Sequence, residues 1–125
     1  MKKSICTENA PKPVGPYSQA VRAEKFLFVS GQLAIDQKEG KIIALDIKGQ
    51  TVQVLENIQS ILKAADYNLS DIVQANVYLS SMTLFGEFNS IYATYFRKDF
   101  PARATVGIQL TPGALVEISV IAYKE

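Results

Sequence analysis

Phe100-Pro101-Ala102-Arg103-Ala104-Thr105-Val106 is the stretch on which the reading of this chain turns. It joins an aromatic-rich helical pattern to an alternating strand pattern. Pro101 has no N–H to offer a continuing helix, so the helix stops before it. The direction in which the following strand faces decides what Arg103 does. Arg103 opens a segment that otherwise reads as buried, so it is either a misfit in a sheet or a hook for a ligand. The last strand pattern, Leu115 to Tyr123, carries a single charge, Glu117.

Downstream, Arg103 to Leu110 reads as a strand and Thr111-Pro112-Gly113 as a turn. In Leu115 to Tyr123, period two puts Val116, Ile118, Val120 and Ala122 on one face. Leu115, Glu117, Ser119, Ile121 and Tyr123 take the other. The turn predicts a hairpin that makes these two strands neighbours. With Ala104, Val106 and Ile108 facing the helices, Arg103, Thr105 and Gly107 share the other face with Glu117. Two readings of that pair stay open: a structural ion pair at a sheet edge, or two parts of one site.

Upstream, Asp71 to Ser80 alternates. Val73, Ala75, Val77 and Leu79 fall on one face; Ile72, Gln74, Asn76 and Tyr78 fall on the other. Phe85, Phe88, Tyr92, Tyr95 and Phe96 mark a helix over Thr83 to Lys98, with Thr83 as N-cap and Tyr92 and Phe96 as core aromatics. Asp46 caps an earlier helix that ends near Asp66. Ser18 to Ala23 and Lys25 to Ser30 form a hairpin, which Gly31 ends. Residues 1–17, with Pro11, Pro13 and Pro16, read as an extended arm. The order is β-β-α-β-α-β-β, with a further short strand at Lys41 to Ala44. This predicts one α/β (α+β) domain over 1–125, with both helices on one face of the sheet. The other face mixes apolar and polar groups, which predicts an interface between copies.

The composition is that of an ordinary globular domain: 125 residues, 48% hydrophobic, 20% charged, net charge +1. That balance gives no basic surplus for nucleic acid. No apolar h-region follows Met1-Lys2-Lys3, and no apolar run nears the ~20 residues of a membrane span. A lone Cys6 forms no internal disulfide, so a cytoplasmic protein is expected. The chain has no His, which removes Ser-His-Asp and Cys-His catalysis and His-based metal sites. No phosphate-cradling glycine motif occurs. Chemistry falls to Arg, Lys, Glu, Asp, Tyr, Ser, Asn, backbone groups and water.

Five motifs then occur in order. They are Asn9-Ala10-Pro11 with Gly15-Pro16-Tyr17-Ser18-Gln19; Val29-Ser30-Gly31-Gln32; Phe88-Asn89 with Tyr92 and Phe96; Phe100-Pro101-Ala102-Arg103; and Glu117-Ile118 with Ala122. Together they cover essentially the whole chain, which closely resembles the reactive intermediate deaminase family, in particular its RidA subgroup. The resemblance implies a chorismate-mutase-like mixed sheet and a homotrimer whose sheets form a central barrel, with sites in the clefts between subunits. It implies hydrolysis of 2-imino acids such as 2-iminopropanoate and 2-iminobutanoate to 2-keto acids and ammonia, without cofactor or metal.

Carried over, Arg103 would hold the substrate carboxylate, for which its planar fork is suited. Glu117 would hold or activate water. Tyr17, Ser30, Gly31 and Asn89 would line the pocket, with Tyr17 from the neighbouring subunit's side, and the backbone around Thr105 would contact the imine end. The chain departs from many members at Thr105, where they carry Cys, and at Ser119, where they carry a second acid. A thiol-dependent step is therefore not expected. A non-catalytic regulatory protein that binds small carboxylates is the alternative. An RNA-directed role is disfavoured by the charge balance.

Overall fold

The computed structural model describes residues 1–125. Eight strands and two helices follow one another: β1 (Lys2–Ile5), β2 (Ala20–Ala23), β3 (Phe26–Gln32), β4 (Ile35–Asp36), β5 (Lys41–Ile42), α1 (Ile47–Ala64), β6 (Ile72–Leu79), α2 (Phe85–Phe96), β7 (Ala102–Gly107) and β8 (Val116–Tyr123). Six of the strands form one mixed sheet in the order β1-β2-β3-β8-β6-β7, and β4 and β5 form a separate ribbon. The expected mixed sheet with two helices is present. The extended arm begins with an edge strand beyond those expected: Lys2 to Ile5 pairs antiparallel with β2.

The helices begin and end on local chemistry. Asp46 accepts a hydrogen bond from Gly49 N at 2.9 Å. Gly49, a poor helix former, is suited there because a Cβ would sit 2.8 Å from Asp46 Oδ1. At the other end Asp66 takes a positive φ of 63°. Tyr67 N then reaches Leu62 O and Asp66 N reaches Lys63 O, the paired bonds of a Schellman closure. The expected cap at Thr83 is displaced: Ser81 accepts from Thr83 N, a 3-10 turn covers Met82–Leu84, and α2 starts at Phe85.

The hairpin expected between the last two strands does not form. The turn itself is present, with Ala114 N bonded to Thr111 O and Gly113 at φ 85°. It docks on α1 instead: Gln50 donates to Ala44 O and Gly113 O and accepts from Leu115 N. Residues 108–115 thus carry the chain past β6. β8 enters between β3 and β6, and β7 pairs parallel with β6 on its far side. The strand–helix–strand order explains this, since a helix between two strands is the usual crossover joining parallel neighbours.

A second correction concerns β6. A register shift between Ile72 and Gln74 turns Ile72 into the core and leaves Val73 46% exposed. One extra residue in a bulge inverts the alternation on one side of it. Helix-facing positions of β3, β6 and β8, among them Leu27, Val77 and Ile118, pack with Leu55, Ile58 and Leu62 of α1 and Phe88 of α2. The opposite face has no helix over it. Phe26 and Phe28 are 42% and 44% exposed there, and Phe26 packs at a tilt against Tyr123, ring centres 5.0 Å apart.

Gln19 ties the arm down. Its side chain accepts from Thr7 N at 2.7 Å and donates to Thr7 O, Ala10 O and Pro11 O, and the residue is buried. Losing these bonds leaves backbone groups unpaired, at about 1–3 kcal/mol for a buried group. Gln19→Ala is expected to lower the urea midpoint by an amount equivalent to about 2 kcal/mol and to open residues 7–18 to proteolysis. An unchanged midpoint and an intact arm would remove this role.

Candidate functional site

The pairing just described decides the geometry of the predicted site. Arg103 is in register with Ala75, and Ala75 with Val120. Partners in register project to the same side of a sheet, so Arg103 faces the helices. Glu117 is in register with Tyr78, and Tyr78 with Val106, so Glu117 faces the open side. The expectation that Arg103, Thr105 and Glu117 share one face is overturned. It rested on orienting Ala104 and Val106 inward, whereas both are exposed.

On the open side, Tyr17, Ser30, Gly31 and Glu117 come together at a cleft of about 360 Å³, walled by Lys12 and Ile35 among others. Ser30 is fixed by two bonds, its N to Gln19 O at 3.0 Å and its hydroxyl to Ser18 O at 2.6 Å. β3 and β8 lose register between Val29 and Gln32, so Ser30 and Gly31 form the irregular step. Glu117 lies directly over Gly31: a Cβ there would be 3.0 Å from Glu117 Cδ and nearer still to its oxygen. Only glycine leaves that carboxylate its place. Burial pushes the Glu117 carboxyl above its ordinary value.

On the helix side, Asn89, Tyr92, Ala93, Phe100, Pro101 and Arg103 line a second cleft of about 370 Å³. Arg103 Nη1 donates to Asn89 Oδ1 at 2.9 Å. The guanidinium carbon lies 4.8 Å from the Tyr92 ring centre, 5.6 Å from that of Phe85 and 5.7 Å from that of Phe88. Such contacts favour a cation by about 0.5–2 kcal/mol each. Thr105 follows on the same side of β7, its hydroxyl buried without a partner. The seven predicted residues therefore divide: Tyr17, Ser30, Gly31 and Glu117 in one cleft, Arg103 and Asn89 in the other, Thr105 beside the second. Tyr92, read as a core aromatic, is core and also part of the Arg103 wall. The signal was present in its spacing, since Phe85, Phe88, Asn89 and Tyr92 share one face of a helix.

No grouping of three or more His, Cys, Asp or Glu suited to a metal ion occurs in the structure. Chemically, one cleft offers a proton acceptor with raised affinity and the other a planar cation suited to a carboxylate. No helix is long and apolar enough to cross a membrane.

A six-stranded mixed sheet with two helices on one face defines the class as an α+β domain. The chain belongs to the family described as endoribonuclease L-PSP, which it matches over residues 7–124. It is 54% identical over 126 residues to the RutC family protein PH0854 of Pyrococcus horikoshii, covering 100% of both chains. It is 39% identical over 125 residues to a mouse protein named 2-iminobutanoate/2-iminopropanoate deaminase, covering 99% of this chain and 93% of that one. The crystal structure of a Thermotoga maritima protein superposes with a TM-score of 0.96 at 42% identity, covering 100% of this chain and 99% of that one.

A buried acid with a raised pKa stabilises the fold most below its unfolded value, about 4.3 for Glu. That stability is lost as pH rises through the folded value. Glu117→Gln is therefore expected to raise the melting temperature at pH 7 and above. The gain should vanish near pH 4 and below. A gain independent of pH, or a loss at pH 7, would contradict the burial effect.

Proposed function

We propose that this protein hydrolyses short 2-imino acids, such as 2-iminopropanoate and 2-iminobutanoate, to 2-keto acids and ammonia. The active site is assembled from two copies in a ring of three. The observation that carries this reading is the division of the site. Arg103 and Glu117 have complementary tasks toward one small anion, yet they lie on opposite faces of the sheet. Reacting groups must converge to about 3–3.5 Å, which side chains on opposite faces of one sheet do not do. The uncovered apolar face supplies the second copy's docking surface, and the mouse relative's name supplies the reaction.

In this reading Arg103 of one copy takes the carboxylate through two parallel N–H···O bonds while Asn89 steadies it. The protonated imine is already electrophilic. Glu117 of the neighbouring copy accepts a proton as water adds to the imine carbon, giving a carbinolamine. Transfer of a proton to nitrogen and collapse of the C–N bond release ammonia and form the C=O of the 2-keto acid. The balance is imine plus water to keto acid plus ammonia, and no cofactor enters. Burial raises the proton affinity of Glu117, which suits it to accept that proton.

The test is complementation. Arg103→Ala and Glu117→Gln are each expected to lose at least ~30-fold in ammonia release, since truncating one charged partner of a close pair is worth about 2–5 kcal/mol. Refolded as a mixture, the two variants should regain about a quarter of wild-type activity, because a randomly mixed ring places one intact Arg103 opposite one intact Glu117 at that frequency. A mixture as inactive as its parts, with mixed rings present by mass spectrometry, would place the site elsewhere. Tight 2-oxobutanoate binding without accelerated imine decay would favour the binding-only alternative.

A further inference from the structure

Arg103 is held less firmly than its surroundings suggest. Three rings press on it, at 4.8, 5.6 and 5.7 Å from the guanidinium carbon. Ring faces attract a cation but do not set its rotation; hydrogen bonds do that. Arg103 makes one such side-chain bond, to Asn89, whereas a guanidinium carries five N–H donors. A carboxylate gripped edge-on takes two of them, so a single remaining bond leaves the plane free to tilt about it.

Beside the guanidinium sits a group with no present use. The Tyr92 hydroxyl is buried without a hydrogen-bond partner, in a residue only 3% exposed. Burial raises its pKa, and the charge of Arg103 and the approach of its N–H groups pull it back, so the phenol oxygen lies beside the guanidinium although no hydrogen bond of good geometry closes between them. An unpaired buried hydroxyl is destabilising, and replacing it by hydrogen is neutral or favourable to folding. Phenylalanine would fill the same ring space without that penalty. Asn89 and Tyr92 are three residues apart on α2 and so share a face. Arginine only donates, so the phenol oxygen can serve it as acceptor.

We infer that Tyr92 is a positioning residue for Arg103: its ring carries the guanidinium, and its hydroxyl oxygen supplies the second fixed point that sets the guanidinium plane when a carboxylate is bound. Asn89 holds one side of the fork and Tyr92 the other, leaving an edge for the ligand. This rests on Arg103 being the carboxylate hook.

The experiment compares wild type, Tyr92→Phe and Arg103→Ala by titration with 2-oxobutanoate, with melting temperatures measured in parallel. Tyr92→Phe is expected to weaken binding about tenfold, or about 1.4 kcal/mol, while melting at or above the wild-type temperature. In imine hydrolysis its KM should rise by more than its kcat falls. A hydroxyl that merely packs would shift the melting temperature and leave binding within twofold; that result overturns the inference while Arg103→Ala still loses binding. If Arg103→Ala binds as well as wild type, or wild type does not bind at all, the hook itself fails and Tyr92's role goes with it.

Discussion

The parallel pairing of β7 with β6 is the constraint on which the rest of the molecule depends. Two strands joined by a helix can lie side by side only if the helix carries the chain back over the sheet. α2 does this, and Pro101 releases the chain into β7 at the far edge. Three consequences follow from that one placement. Arg103 enters in register with Ala75 and so lies beneath α2. The aromatic residues of α2 then become its walls. The place beside β3 is left open, and β8 fills it as the strand that joins the two halves of the sheet.

β8 is thus a central strand, and its alternation is strict, buried and half-buried by turns over all of Val116–Tyr123. A charge on such a strand must reach the rim or be neutralised. Glu117 reaches a cleft, and it does so over a residue without a side chain. The irregular step at Ser30 and Gly31 costs the sheet ladder bonds, which Ser30 recovers through Ser18 O and Gln19 O. Gln19 in turn holds the arm that walls the cleft. Several departures from local consistency lie at the two clefts: a broken register, a half-buried acid and two unpaired hydroxyls, Tyr92 and Thr105. Such departures are expected where a chain serves something other than its own stability.

The elements were legible in the sequence because each announces itself locally. Asp46 caps, Pro101 stops, and Val116 to Ala122 alternates, all within a few residues. The sidedness of Arg103 was not legible, because it depends on which strand lies next to β7, a long-range fact. Thr111-Pro112-Gly113 does turn the chain, but Gln50 captures that turn for α1, and no local signal distinguishes a docked turn from a hairpin. Likewise the bulge at Val73 leaves no mark in the pattern, since Ile72 and Val73 are both apolar. Lys2 to Ile5 escaped because a short, polar edge strand lacks a buried face to declare it. The candidate site residues were named by their motifs; their division between two faces was not legible.

That division also bears on how copies meet. In a two-fold dimer the same patch serves both partners, so Arg103 and Glu117 would have to lie on one patch. They lie on opposite faces, beside different strands. A contact that brings the α2–β7 edge of one copy to the β3–β8 cleft of the next joins unlike surfaces, and unlike surfaces either close into a ring or run on as a filament. The uncovered face, with Phe26 and Phe28 exposed near one end and Val106 and Ile108 near the other, is apolar enough to lie inside such a ring. Closure would turn it inward, whereas an open filament would leave each terminal copy with one cleft half built. In the proposed ring every copy would have one complete site, and the topology that separates Arg103 from Glu117 within a chain would be the reason each copy needed a neighbour on both sides.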